Sequence, residues 1–243
     1  MSRSAYRNNL ILKGGFLIAS MLGVDTRSTR DLDTSVKGIP VTKTEILKVF
    51  TEIVNMNDSD GNVTLSMDKI DDIRVAEDYA GFRIHLTAKI YASEINTKID
   101  VSTGDTITPR EISWHHHTIF NDQEVMVMAY NRETILAEKL ESMVARKDLN
   151  TRLKDYYDLF LFDKIQIQNI DFQTLKVALL ATAKLRGTES LLPKYVQTIQ
   201  ALRSDPTLEK LWSKYQIANE YARGIAYEQT CDAAIDLVQR SGI

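Results

Sequence analysis

The sequence predicts an α+β protein in which a mixed sheet with helices is followed by an all-helical C-terminal region. Up to about Tyr130, short segments with alternating apolar residues, typical of half-buried strands, are interspersed with two helical patterns. From Asn131 onward, apolar residues recur at helical spacing, beginning with a segment that contains neither Gly nor Pro. At roughly 100 to 200 residues per domain, the 243 residues accommodate two domains. We therefore predict a mixed domain over residues 1–130 and a helical domain over residues 131–243.

In the first domain, the apolar periodicity predicts an apolar helix from Gly15 to Leu22, a short strand from Asp31 to Val36 and a helix from Thr42 to Val54. Alternating apolar residues predict two longer strands, at Val63, Leu65 and Met67 and at Phe82, Ile84 and Leu86. Further short strands are predicted at Ile99 to Ser102 and Val125 to Ala129.

The second domain is predicted to consist of six helices. Asp205 followed by Pro206 predicts the start of one of them, because Asp caps helices well and Pro is favoured at the first helical position. The predicted helices are Arg132 to Lys147, Thr151 to Phe162, Phe172 to Leu185, Glu189 to Leu202, Thr207 to Tyr215 and a last helix ending near Arg240.

The composition excludes several classes of protein. With 44% apolar and 26% charged residues, the chain is neither a collagen, a disordered tail nor a disulfide scaffold. The 30 Lys and Arg residues against 33 Asp and Glu residues give a net charge of -3. A protein that coats nucleic acid non-specifically is normally basic, so any contact with nucleic acid is expected to be local.

Cysteine usage and hydropathy predict a cytoplasmic protein with no membrane segment. Cys231 is the only cysteine in the sequence, which excludes an intramolecular disulfide and a thiolate zinc site and suits a reducing compartment. The apolar stretch Phe16 to Leu22 is too short to span a bilayer. Three consecutive histidines, His115–His117, would alternate faces in a strand, so at most two converge and we predict no zinc site there.

An Asp-x-Asp pattern is the strongest chemical signal in the sequence. Asp31 and Asp33 project from one face of a strand, with Leu32 on the other face. Two parallel carboxylates repel each other unless a cation neutralises them, and Mg²⁺ is usually held by one or two carboxylates together with substrate phosphates. The pattern therefore favours phosphate chemistry, with a solvated pair at a strand edge as the alternative.

A third carboxylate and a glycine pair support the same interpretation. Asp100 lies in a short strand with apolar neighbours, where an unpaired carboxylate is costly, so it is a candidate third metal ligand; the alternative is a strand-end Asp that begins a turn. Gly14 and Gly15 open the apolar helix and would let its free N–H groups approach a phosphate, although Gly-Gly also suits a simple turn.

The first helices of the second domain carry candidate cations and acids. Lys139 and Arg146 lie on one face of a helix, where they would neutralise the charge of a triphosphate or simply be solvated. In the next helix, Asp155 and Asp158 share a face and suit either catalysis or salt bridges to Lys139 or Arg146.

Taken together, five segments resemble the AbiEii/AbiGii toxin family of nucleotidyltransferases, within the DNA polymerase β-like nucleotidyltransferase superfamily. They occur in the family's order: Ile11–Gly15 (ILKGG), Arg27–Asp33 (RSTRDLD), Lys98–Asp105 (KIDVSTGD), Leu136–Arg146 (LAEKLESMVAR) and Arg152–Leu159 (RLKDYYDL).

The resemblance implies a nucleotidyltransferase-like sheet domain, a helical domain and Mg²⁺-dependent use of a nucleoside triphosphate. By position, Asp31 and Asp33 are similar to the metal-binding pair and Asp100 to the third carboxylate of the superfamily. Lys139 is similar to the nucleotide-contacting lysine and Asp155 to the acidic residue of the fourth motif. The nucleotide-binding residues expected from these motifs are Gly14, Gly15, Arg27, Ser28, Thr29, Lys139 and Arg146.

The same resemblance implies the toxin of a type IV toxin–antitoxin or phage-defence system, with an antitoxin that acts without forming a stable complex. Some relatives modify the acceptor end of tRNA, so the implied acceptor is RNA, with a protein hydroxyl as an alternative. The chain departs from the superfamily pattern at Gly14 and Gly15, where Gly-Ser is usual. Because the serine hydroxyl is absent, a catalytically silent binding module with the same fold is a further alternative.

Overall fold

The computed structural model describes residues 1–23, 27, 29, 31–56, 63–73, 81–118, 123–146 and 151–243. The chain forms two compact units. The first comprises Met1–Met21, Ser28–Asp105 and Glu111–Tyr130, and the second comprises Leu22–Arg27, Thr106–Arg110 and Asn131–Ile243. The predicted fold class is confirmed, because a mixed sheet with helices precedes a run of helices along the chain.

The first unit is built on a mixed sheet, in which the described residues form seven strands in the order β3-β4-β5-β2-β1-β7-β6. Strands β2 and β5 pair in parallel, as do β1 and β7, whereas the other neighbours are antiparallel. The strands are β1 (Leu10–Lys13), β2 (Asp31–Val36), β3 (Val63–Ile73), β4 (Gly81–Ile90), β5 (Ser93–Ser102), β6 (Ile112–His117) and β7 (Glu124–Ala129).

Strands β2, β3, β4, β5 and β7 were predicted, whereas β1 and β6 were not. All four residues of β1 are buried, so the strand has no alternation of apolar and polar residues to reveal it. In β4 the predicted alternation is confirmed, because Phe82, Ile84 and Leu86 are all buried. The prediction is less accurate for Leu65, which is 37% exposed because β3 forms an edge of the sheet.

Two helices accompany this sheet, α1 (Gly14–Leu22) and α2 (Lys43–Val54). Both confirm the predicted segments to within one residue. The Thr42 hydroxyl caps α2 by accepting a hydrogen bond of 3.3 Å from the Glu45 backbone N–H. Buried residues of α2 pack against the sheet in one apolar cluster with Leu10, Val36, Phe82, Ile84 and Val101. This cluster holds β2, β4 and β5 together, and these are the strands that carry the candidate site.

The second unit contains the six helices α3 (Arg132–Arg146), α4 (Leu153–Gln166), α5 (Phe172–Leu185), α6 (Tyr195–Arg203), α7 (Pro206–Ala218) and α8 (Tyr227–Ser241) within the described residues. The cap predicted for α7 is confirmed, because the Asp205 carboxylate accepts hydrogen bonds from the backbone N–H groups of Thr207 and Leu208. None of the described helices is long and apolar enough to cross a membrane.

The helix predicted from Glu189 to Leu202 is wrong in its first turns. Glu189–Lys194 forms a 3₁₀ segment that contains Pro193, and α6 begins only at Tyr195. Proline has no N–H and its ring clashes with the preceding turn of an α-helix, so the α-helix starts after it.

Candidate active site

The pairing of β2 and β5 brings two carboxylates together. Asp33 lies directly opposite Asp100 in the parallel register, so the two side chains project from the same face of the sheet. Asp31, two residues earlier on β2, shares that face and is opposite Lys98. The Asp-x-Asp pattern and the KIDVSTGD segment, which are far apart in the sequence, are therefore neighbours in the fold.

The same face carries a row of charged residues that crosses five strands. Following the register from strand to strand, Asp71, Arg83, Asp100, Asp33 and Lys13 lie opposite one another in turn. We call these five residues the charged row. The like-charged neighbours Asp100 and Asp33 lie at its centre, with a cation on each side. Because like charges directly opposite each other destabilise a sheet, the two cations offset a repulsion that the register imposes.

Arg83 neutralises Asp100 through a two-point ion pair. Arg83 Nε donates to Asp100 Oδ1 and Nη2 donates to Oδ2, each at 2.7 Å. These hydrogen bonds, together with the negative charges of Asp100, Asp31 and Asp33, raise the pKa of the Arg83 guanidinium. Both Asp100 oxygens are therefore engaged by a cation that belongs to the protein.

Lys13 is held differently, by the partly buried carboxylate of Asp105, which lies outside the charged row. The Lys13 ammonium forms an ion pair with Asp105 and lies 5.6 Å from the centre of the Tyr130 ring. The Asp105 carboxylate also accepts hydrogen bonds from Ser35 Oγ at 3.1 Å and Ser102 Oγ at 3.3 Å. Burial alone would raise the pKa of Asp105, but the adjacent Lys13 keeps it below the usual value. The Lys13 ammonium is therefore held in place by Asp105.

Sequence reasoning missed Arg83 and Asp105 as members of this cluster. Arg83 lies between the apolar residues of β4, where it reads as an ordinary outward-facing polar residue. Asp105 follows Gly104 and reads as a turn residue. The one available signal was that Asp105 closes the KIDVSTGD segment that contains Asp100.

Gly14 allows Asp33 to lie against the start of α1. Its φ of +68° is in the left-handed region, and a Cβ added there would lie 2.0 Å from Asp33 Oδ2. No residue with a side chain fits this position without moving Asp33. The close approach of Asp33 therefore explains why the first residue of the Gly-Gly pair is glycine.

Oxygen donors suited to Mg²⁺ are present, although they do not form a ready cage. Among the described residues, no three His, Cys, Asp or Glu side chains are arranged to hold a metal ion. No described residue donates a hydrogen bond to the carboxylate of Asp31 or of Asp33, and Asp31 is exposed. Since Mg²⁺ typically takes one or two carboxylates and completes its coordination with waters and phosphates, the chemistry of this pair fits the ion.

In the helical unit, a buried ion network joins the predicted basic and acidic residues. Lys139 Nζ lies 2.6 Å from Asp155 Oδ1 and 2.7 Å from Asp158 Oδ2. Arg27 Nε donates to Asp158 Oδ1 at 2.6 Å, and Arg152 Nε lies 3.1 Å from Asp155 Oδ2. The side chain of Asp158 is 0% exposed and that of Asp155 is 3% exposed. The salt-bridge alternative considered for the two aspartates is therefore the contact that they make.

The charges of this network support one another. Burial alone would lower the pKa of Lys139, but Asp155 and Asp158 raise it above its usual value. Burial would likewise raise the pKa of Asp155, but Lys139 and Arg152 lower it. Lys139 and Asp155 are therefore both charged at neutral pH, and the guanidinium of Arg27 is held by the buried carboxylate of Asp158.

The remaining predicted residues have simpler surroundings. Thr29 Oγ1 donates to the backbone carbonyl of Asp31 at 3.4 Å, Gly15 is buried within α1, and Arg146 is exposed at the end of α3. Ser28, which was predicted to bind nucleotide, lies outside the described residues.

Comparison with protein families and solved structures gives matches over nearly the whole chain. A family described as nucleotidyl transferase AbiEii toxin, type IV TA system, matches residues 1–233. The crystal structure of JHP933 from Helicobacter pylori is similar, with a TM-score of 0.54 and 13% sequence identity, covering 96% of this chain and 84% of that one.

A second solved structure, of a provisionally assigned nucleotidyltransferase from H. pylori, has a TM-score of 0.48 and 13% identity, covering 96% of this chain and 87% of that one. No curated protein matches the chain significantly. At these identities, the JHP933 structure supports the fold alone.

The close approach of Gly14 and Asp33 predicts the effect of Gly14→Ala. The left-handed φ costs about 1–2 kcal/mol for a residue with a Cβ, and the clash with Asp33 adds about 1–3 kcal/mol of overpacking. Gly187→Ala is the matched control, because Gly187 has a φ of +66° and a Cβ there meets nothing within 4 Å. Urea unfolding should show a greater loss for Gly14→Ala; equal losses would contradict the close packing.

The buried ion network predicts that Asp158→Asn is strongly destabilising. The substitution leaves the buried Arg27 and the largely enclosed Lys139 with one carboxylate fewer, which typically costs about 3–5 kcal/mol. Glu220→Gln is the control, since Glu220 pairs with Arg223 on the surface and its side chain is 84% exposed. The free energies of unfolding in urea should fall sharply for the first variant and hardly change for the second. Similar values for both variants would show that the network contributes little.

Proposed function

The chain belongs to the AbiEii family of nucleotidyl transferase toxins of type IV toxin–antitoxin systems, and on that premise we propose a Mg²⁺-dependent transfer of a nucleoside monophosphate from a nucleoside triphosphate to an acceptor hydroxyl. Membership of the family implies a nucleotide substrate and an antitoxin partner. The observation that carries the proposal is the placement of Asp33 opposite Asp100, with Asp31 on the same face.

Asp31 and Asp33, joined by Asp100, are the residues that would hold Mg²⁺. When bound, the ion supplies positive charge to the triphosphate and to the acceptor oxygen. The backbone N–H groups at the start of α1, at Gly14 and Gly15, are suited to phosphate oxygens because a helix N-terminus attracts anions. Lys13, held in place by Asp105, contributes an ammonium group to the same face.

In the proposed reaction, an acceptor hydroxyl oxygen forms a bond to the α-phosphorus while the bond from that phosphorus to the bridging oxygen of pyrophosphate breaks. The proton of the acceptor passes to a site carboxylate and then to water, and pyrophosphate leaves. By resemblance to the family's motifs, Lys139 and Arg146 would neutralise the negative charge of the phosphates. Asp155 would orient Lys139 through their 2.6 Å ion pair. Arg27, which is held by Asp158, supports this network.

The acceptor is proposed to be RNA, namely the acceptor end of tRNA, and the biological setting to be phage defence. Both assignments rest on the resemblance of the five ordered segments to the family. A protein hydroxyl is the alternative acceptor within the same reaction class. Digestion of a labelled product with ribonuclease or with protease distinguishes the two.

Asp33→Asn tests the proposal directly. Each of the four α-³²P nucleoside triphosphates is incubated with the protein, Mg²⁺ and total RNA, and the label on RNA is measured. We expect the unmodified protein to transfer label from at least one nucleotide. Asp33→Asn should reduce the rate by about 100-fold or more, because the variant would hold less firmly the Mg²⁺ that supplies positive charge to the reacting phosphate.

Asp72→Asn is the matched control. Asp72 lies opposite Phe82, so its side chain faces away from the charged row, and it is exposed on β3. This variant should retain full transfer. If no nucleotide gives labelled RNA or labelled protein, the catalytically silent binding module, which the absence of the Gly-Ser hydroxyl leaves open, becomes the better description. If label transfer survives Asp33→Asn unchanged, the metal assignment is wrong.

A further inference from the structure

We propose that Arg83 is a resident counter-ion that a divalent cation must displace from Asp100 before the three carboxylates act together. The inference rests on the proposed function of the same site, but it concerns how the protein behaves before any nucleotide binds. It makes Arg83 a positioning residue that controls which cation the carboxylates hold.

The first support is the geometry of the ion pair. Arg83 and Asp100 are directly opposite on β4 and β5, and two hydrogen bonds of 2.7 Å engage both carboxylate oxygens. A metal ion that approaches Asp100 therefore meets oxygens that already accept charge-assisted hydrogen bonds. Coordination by Asp100 requires at least one of these bonds to break.

The second support is the charge balance around the guanidinium. Asp31, Asp33 and Asp100 carry three negative charges, all of which act on Arg83. With the single positive charge of Arg83 the set carries -3 + 1 = -2, and without it -3. Asp71, on the other side of Arg83, is engaged by Lys69 and His85 at 2.7 and 2.8 Å. Arg83 thus supplies the positive charge that a divalent ion would otherwise bring.

The third support is the contrast between the two cations that flank the carboxylates. The side chain of Lys13 is 11% exposed and is tied to Asp105, whereas the side chain of Arg83 is 36% exposed. The exposed part of Arg83 can therefore be hydrated when the side chain leaves Asp100, and the guanidinium stays charged in water. Lys13 cannot leave without breaking its ion pair with the partly buried carboxylate of Asp105. Of the two, only Arg83 is suited to exchange with a metal ion.

The test is a titration of the full chain with Mn²⁺ in the absence of nucleotide, in which free Mn²⁺ is followed by its electron paramagnetic resonance signal. We expect Arg83→Gln to bind Mn²⁺ more tightly than the unmodified protein by about tenfold, within the range usual for coupled sites. Arg83→Lys, which keeps the charge but loses the two-point geometry, should give an intermediate affinity. Circular dichroism shows whether Arg83→Gln folds. If it does not fold, Arg83→Lys is the variant that tests the proposal.

Lys98→Gln is the charge-matched control. Lys98 lies opposite Asp31 and two residues before Asp100, yet the structure gives it no ion pair with either carboxylate. This variant removes the same charge from the same face without freeing Asp100, so its effect on Mn²⁺ affinity should be much smaller. If Lys98→Gln raised the Mn²⁺ affinity as much as Arg83→Gln, the effect of Arg83 would come only from its charge and not from its ion pair with Asp100. That result would overturn the proposal.

The remaining outcomes separate this inference from the proposed function. If the unmodified protein binds Mn²⁺ and Arg83→Gln and Arg83→Lys bind it with equal or lower affinity, the counter-ion role of Arg83 is wrong while nucleotidyl transfer stands. If no variant binds Mn²⁺ but the protein still transfers label, the role of Arg83 is again wrong. If no variant binds Mn²⁺ and no label is transferred, the metal-dependent function fails with it.

Discussion

The repulsion between Asp33 and Asp100 is the interaction on which the rest of the candidate site depends. Parallel pairing of β2 and β5 fixes these carboxylates opposite each other, an arrangement that destabilises a sheet unless neighbouring cations offset the repulsion. Arg83 lies next to Asp100 and Lys13 lies next to Asp33, so a cation flanks the two carboxylates on each side. Gly14 leaves room for Asp33 against α1. A stability cost that no core packing requires is a common sign of a functional site.

In the helical unit, carboxylates are also paired with cations, but there the carboxylates are buried. There the acidic residues Asp155 and Asp158 are almost fully buried, and each is paired with more than one cation. Each member of this network has an oppositely charged partner, so the network holds its members in position. The sheet carboxylates are less enclosed and only partly paired. The first arrangement suits the positioning of a lysine, and the second suits the binding of an incoming cation.

The features that could be predicted from the sequence are those with a local pattern. The capped helix α2, the alternating strand β4 and the Asp-x-Asp strand β2 each carry their signal within a few residues. By contrast, β1 is a short, fully buried strand without alternation, and the partners of Lys13 and Arg83 depend on register. Lys13 meets a residue 92 positions away and Arg83 one that is 17 positions away. No local pattern encodes such pairings, which arise only when the strand order is fixed.

The carboxylates of the candidate site imply that this protein binds a nucleotide only together with a metal ion, and calorimetric titration with ATP, GTP, CTP and UTP tests this most directly. With Mg²⁺ present, at least one of the four should bind with measurable heat, and the heat should disappear when Mg²⁺ is replaced by a chelator. Binding that is indifferent to Mg²⁺, or no binding of any of the four, would contradict the account, because the paired carboxylates would then have no cation-dependent role.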